Sequence, residues 1–190
     1  MTRAVNPRRA DTRRNHERIL AAALESLTTS GELSFNAIAK RAEVGVGTVY
    51  RHFPTPEALV LAVYRREVQH IVDVVPTLLE TNTPEQAFRE WTGHLARYMM
   101  TKRGLAEALR TATTSQEELF AKAYEAMVSA VSTLLEANVR AGSARADLEP
   151  TTVLRALSGL LLLNPREDWQ DQTEDLTDLL WKGMRADQDG

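Results

Sequence analysis

An all-α fold of about eight or nine helices is predicted by three features of the sequence. Apolar residues recur three and four positions apart along nearly the whole chain, the spacing of one helix face. Helix starts are marked by Thr55-Pro56 and Thr83-Pro84, each a capping residue followed by the ring that suits the first helical position. Helix stops are marked by Gly31, Gly142 and Asn164-Pro165. No segment reads as a credible strand, and neither an internal repeat nor a low-complexity stretch is present.

The elements follow in order. Ile19, Leu20, Ala23, Leu24 and Leu27 form the first stripe, which Gly31 closes. Ser34 is a good N-cap for a short helix with Phe35, Ile38, Ala39 and Ala42 on its apolar face. A second short helix is expected from about Val46 to Phe53, ended by Pro54. Taken alone, Val44 to Tyr50 alternates like a strand and holds two glycines, but two short helices in tight sequence override that local pattern. The long helix from Thr55-Pro56 carries Leu59, Val63, Val68, Ile71, Val72 and Val75, and its stripe ends at Pro76. The next carries Phe88, Trp91, Leu95, Tyr98 and Met99, with a break or short helix expected from Gly104 to Thr114. Ser115 and Glu118 fit a capping box opening a helix with Phe120, Ala123, Tyr124, Met127, Val131, Leu134 and Leu135. Pro150 opens a very apolar helix over Val153 to Leu163, and the last helix carries Leu176, Leu179, Leu180 and Met184.

Composition narrows the class. The chain has 190 residues, 43% of them hydrophobic, enough to bury a real core. Its longest strongly apolar run, Leu160 to Leu163, is far short of the ~20 residues that span a bilayer. The arginine-rich beginning lacks the apolar stretch of a secretory signal, and no cysteine is present, so a cytoplasmic location is expected. The net charge of −3 conceals a segregation. Residues 1–53 hold nine basic and five acidic groups; residues 54–190 hold 14 basic and 21 acidic ones. A basic head on an acidic body points to a polyanion at one end only.

The short helices sharpen this. Two short helices joined tightly cross steeply, and they need a small residue at the closest approach, a plug in the turn and an apolar anchor beneath the second helix. Ala39, Val44 and Val49 fill those three positions, the anchor ten residues after the small residue. Val46, Gly47, Thr48, Tyr50, Arg51 and His52 then surround the exposed sides of a helix short enough to enter a major groove.

The run Gly47-Thr48-Val49-Tyr50-Arg51-His52-Phe53-Pro54, followed by Thr55-Pro56-Glu57-Ala58-Leu59, resembles the signature of the tetracycline-repressor (TetR) family of bacterial regulators. Ile19 to Leu24 and Ile38-Ala39 are similar to that family's first two helices. The resemblance covers residues 18–60, and beyond them it is architectural. It implies a helix-turn-helix DNA-binding domain at 1–54 and a helical dimerisation and effector domain at 55–190. It further implies that Val46, Gly47 and Thr48 face the bases or groove. Tyr50 and His52, with Arg51, Ser34 and Thr55 nearby, would serve the phosphate backbone. Arg3, Arg8, Arg9, Arg13 and Arg14 are expected to form a basic arm reaching an adjacent minor groove. Three positions depart from the family pattern: Glu43 stands where a turn glycine is usual, Pro56 replaces a lysine, and Ala37 replaces an acidic residue.

Two further readings concern the body. Trp91, His94, Leu95, Tyr98, Tyr124 and Met127 either line a cavity for a small apolar effector or are core. Leu157, Leu160, Leu161, Leu176, Leu180 and Met184 are expected to bury themselves in a homodimer interface, a buried central helix being the alternative. The partners expected are therefore a second copy, a near-palindromic double-stranded operator and a small effector, with no membrane. An enzyme is the competing class. Glu67 and His70 lie one turn apart as in half of a di-iron site, but Glu90 and His94 have the wrong spacing to complete it. No nucleophile elbow, phosphate loop or zinc-protease spacing occurs, so no catalytic residue, cofactor or metal is expected.

Overall fold

The computed structural model describes residues 7–29, 33–112, 116–163 and 167–186. These form eight α-helices and one 3₁₀ segment: α1 (Pro7–Thr29), α2 (Phe35–Arg41), α3 (Val46–His52), α4 (Pro56–Thr81), α5 (Pro84–Ala112), α6 (Gln116–Arg140), α7 (Pro150–Ala156), the 3₁₀ turn Leu157–Leu162, and α8 (Trp169–Met184). Among the described residues there is no strand, only an isolated bridge between Ala144 and Arg185. None of the described helices is long and apolar enough to cross a membrane.

Local chemistry sets several starts as expected. The Ser34 hydroxyl accepts the Ala37 N–H, and Thr55 Oγ1 accepts that of Ala58 at 3.2 Å. At the head of α5, Thr83 and Gln86 form a reciprocal capping box, each side chain accepting the other's backbone N–H. Gly142, at φ +70°, follows α6 as its stop. Gly31 and Ser115, assigned punctuation roles from sequence, lie outside the described residues.

The chain divides into two compact units. The first comprises residues up to Arg66 together with Thr101–Gln116, so it reaches past the boundary expected at residue 54 and recruits the end of α5. Its core joins Ile19, Ala23 and Leu27 of α1 to Ile38 of α2, Val49 of α3, and Leu59 and Val63 of α4. Leu105 and Leu109 of α5 are buried with them. Gly104 therefore does not break α5. A Cβ there would sit 3.5 Å from the Thr28 Cα, and the helix lies close against the end of α1.

The second unit comprises Glu67–Met100 and Glu117–Gly190. Its core contains Ile71, Val75 and Leu78 of α4, Phe88, Trp91 and Leu95 of α5, and Val131 and Leu134 of α6. The stop expected at Pro76 does not occur, and α4 continues to Thr81. Proline inside a helix costs about 3 kcal/mol, but the buried stripe Ile71, Val75, Leu78 runs straight past it and offsets that cost. Asn138, fully buried, donates to the carbonyls of Pro84 at 2.9 Å and Leu134 at 2.8 Å.

The helix expected over Val153–Leu163 is two pieces. After Ala156 the backbone tightens to 3₁₀, and Leu157, Leu160 and Leu163 are buried at a spacing of three. That spacing matches the three residues per turn of the 3₁₀ form. Leu162 points away and is 87% exposed.

Candidate nucleic-acid interface

In the first unit, α2 and α3 are held by the small and apolar residues between them. Ala39 and Val49 are buried, Val49 completely, as are Ile38 and Ala42. Phe53, just past α3, is buried as well. Val49 is the buried residue of α3, so the rest of that helix is available to solvent. Tyr50 is 54% exposed, and Val46, Gly47 and Arg51 are exposed with it. A Cβ added to Gly47 would meet nothing within 4 Å, so protein packing does not require glycine there. What its missing side chain provides is a smooth outer surface on α3.

The polar groups on this face are oriented by one another. Arg51 Nε donates to the Gly47 carbonyl at 3.2 Å, and its terminal nitrogen donates to Thr48 Oγ1 at the same distance. The Tyr50 ring leans on Phe35 of α2, with centroids 4.8 Å apart, which fixes where its hydroxyl points. His52 lies beside His16 of α1 with ring centroids 5.5 Å apart. Burial, then the His16 ring and the Arg51 guanidinium, hold the His52 imidazole below its ordinary pKa. Ser34 and Thr55 serve as caps at the ends of α2 and α4.

Of the expected basic arm, Arg13 and Arg14 are exposed on α1, which runs from Pro7. The physical reason is local: proline suits the first helical position, and the run behind it holds no breaker. Arg14 pairs with Asp11 one turn away. Arg3 and the side chains of Arg8 and Arg9 lie outside the described residues.

Glu43 has φ +52°, the left-handed conformation that glycine adopts without strain. Its carboxylate accepts a hydrogen bond from Arg18 at 2.6 Å, a contact that sequence reasoning missed because the partners lie 25 positions apart. Left-handed strain costs ~1–2 kcal/mol, glycine's extra freedom unfolded returns ~0.4–1 kcal/mol, and an exposed pair is worth ~0–1 kcal/mol. Comparing two variants that both lose the pair isolates the backbone. Glu43→Gly should be more stable than Glu43→Ala by up to ~1 kcal/mol, read as a higher urea midpoint. Equal midpoints would mean that residue 43 leaves the left-handed region.

Comparison with known proteins agrees with this geometry. The profile of bacterial regulatory proteins of the tetR family matches residues 19–63. That of the C-terminal domain of SbtR-like transcriptional regulators matches residues 83–186, more than half of the chain. The chain belongs to the TetR family of transcriptional regulators. Among solved TetR structures, regulator SCO0520 from Streptomyces coelicolor is 38% identical, with a TM-score of 0.82 over 90% of this chain and 98% of the other. A TetR regulatory protein from Mycobacterium vanbaalenii is 33% identical, with a TM-score of 0.79 over 95% of this chain and 100% of its own. The HTH-type transcriptional repressor KstR of Mycolicibacterium smegmatis is 34% identical over 103 residues, which are 53% of this chain and 50% of that one. The match thus spans half the length of that curated relative.

In the TetR body the alternatives left open by the sequence separate residue by residue. Trp91, Leu95, Tyr98 and Met127 are core, and the Trp91 indole donates to the Ile71 carbonyl at 2.9 Å, so its polar tip needs no ligand. Tyr124 is instead exposed. His94 is half-buried beside His70, with ring centroids 5.3 Å apart, and its Nδ1 is buried without a partner. Among the described residues no group of three metal-ligating side chains gathers here or elsewhere. A cleft of about 400 Å³ does exist, but other residues line it: Arg89, Gly93 and Arg97 of α5 with Trp169, Thr173 and Thr177 of α8. The apolar C-terminal residues divide in the same way. Leu157, Leu160 and Met184 are buried within their own unit and cannot meet a partner. Leu176 and Leu180 are half-exposed, Leu162 and Leu179 strongly so, and the side chain of Leu161 lies outside the described residues.

Proposed function

We propose that this TetR-family chain represses transcription by binding, as a symmetric dimer, a near-palindromic DNA operator, from which a small molecule releases it. The carrying observation is α3: anchored by the fully buried Val49, it turns Val46, Gly47, Thr48 and Tyr50 outward together. A dimer would set two such helices about one DNA turn apart, on the order of 34–36 Å. Its place of action would be the cytoplasm, where the DNA is.

The α5–α8 cleft supports an effector site. Its exposed wall is mainly apolar, with Arg89, Arg97, Glu90 and Glu174 at its border, so a largely apolar molecule carrying a few polar groups suits it. Trp169, half-buried in its wall, is the fluorophore that should respond.

Selection of bound sequences from random duplex DNA tests the reading, and two substitutions separate its parts. Tyr50→Phe should weaken binding to every sequence by about 1 kcal/mol, roughly fivefold, as loss of one phosphate hydrogen bond does. Thr48→Ala should leave overall affinity closer to wild type and change which bases are enriched. Wild-type protein that enriches no sequence would sink the proposal.

A further inference from the structure

Beside the recognition helix lies a second cleft, of about 300 Å³, lined by Thr12, Arg13 and His16 of α1 and by His52 of α3. Its lining consists of a hydroxyl, a guanidinium and two imidazoles, and it includes no carboxylate. On α1, Thr12 and His16 are one turn apart and Arg13 is three residues before His16, so all three reach the same side. Neighbouring carboxylates are engaged elsewhere: Asp11 with Arg14, and Glu17 with Arg66 of α4 at 3.4 Å. Among the described residues no carboxylate pairs with Arg13.

We propose that Thr12, Arg13, His16 and His52 form an oxyanion site that takes a phosphodiester of the DNA backbone, and that filling it takes up a proton. The inference rests on the DNA-binding reading above and extends it to α1 residues outside the recognition helix. Two imidazoles 5.5 Å apart, with Arg13 and Arg51 close by, disfavour a second positive charge while the site is empty. A phosphate among them reverses that balance, because each imidazolium then gains an anionic acceptor. The His52 pKa, held low in the free protein, must rise when the anion arrives. The bound state therefore holds more protons, and affinity is greatest at low pH and falls as pH rises through the histidine range. Position favours DNA over a free anion as the source: the cleft adjoins the end of α3, one residue from Arg51 and two from Tyr50.

The experiment measures binding of the full-length protein to two fluorescent duplexes, one enriched by selection and one of random sequence, between pH 8 and 6 and across salt. Wild-type affinity for both should rise about fivefold toward pH 6. His16→Gln, checked for an unchanged melting temperature, should lower the slope of log affinity against log salt at pH 6 by up to about 0.9, and Thr12→Val, which removes no charge, should lower affinity and keep that slope. His16→Gln should also flatten the pH dependence to within about twofold, whereas Tyr50→Phe should lower affinity and keep the pH dependence. Tight DNA binding by His16→Gln with both slopes unchanged overturns the site but leaves the operator reading standing. Failure of the wild type to bind either duplex overturns that reading and the site together. Imidazole NMR signals distinguish the source. His16 and His52 should move on adding duplex, and saturation by submillimolar inorganic phosphate with no response to DNA overturns the phosphodiester assignment.

Discussion

Trp91→Ala is expected to destabilise the second unit by about 3–5 kcal/mol, the usual cost of deleting a large buried aromatic. The indole is fully buried on α5, and it ties that helix to α4 through the Ile71 carbonyl. Truncation leaves a cavity and also removes the indole hydrogen bond to the Ile71 carbonyl, so the two costs fall together. Trp91→Phe separates them. It keeps most of the apolar volume and loses the hydrogen bond, so it should cost about 1–3 kcal/mol. Urea unfolding followed by far-ultraviolet circular dichroism reads both variants. A loss below about 1 kcal/mol for Trp91→Ala would mean that the indole packs against empty space. That outcome would return it to the wall of a ligand cavity.

The features legible in the sequence are those whose causes lie within a few residues. Caps at Ser34, Thr55 and Thr83 bond to amides three positions on, so residue type alone announces them. The α2–α3 pair was legible because a steep helix crossing fixes Ala39, Val44 and Val49 at set offsets. The features that sequence missed are decided by distant neighbours. Pro76 and Gly104 look like breaks, yet the burial of Leu78 and the approach of Thr28 carry their helices through. In α8 the leucine pattern marks a face other than the one that meets the chain's own core. Thr173, Thr177, Trp181 and Met184 form its buried stripe, and each threonine hydroxyl donates to the carbonyl four residues back at 2.7 Å. A threonine satisfied in that way can be buried like a small apolar residue. The leucines of α8 are consequently turned outward. In the reader, His16 escaped notice because its partnership with His52 spans the whole domain in sequence and exists only in the fold.

Those outward leucines give the second large effect: Leu179→Lys should convert a dimer into a folded monomer. Leu179 is 67% exposed and Leu162 87%, while Leu176 and Leu180 are half-covered by their own chain. Fully burying a leucine side chain contributes ~1.5–3 kcal/mol, and two-fold symmetry makes every such gain count twice. A two-fold axis near α8 would also bring the two introduced lysines toward one another and strip both of hydration. Because residue 179 faces away from its own core, the monomer should keep its helical circular dichroism and melting behaviour. Sedimentation at micromolar concentration should then give the 21.2 kDa of one chain instead of twice that mass. Operator affinity should fall by at least about a hundredfold, since one reader on half a site forfeits the advantage of two linked ones. A lysine variant that still sediments as a dimer would move the interface away from α8, and a wild type that sediments as a monomer on and off DNA would remove the dimer altogether.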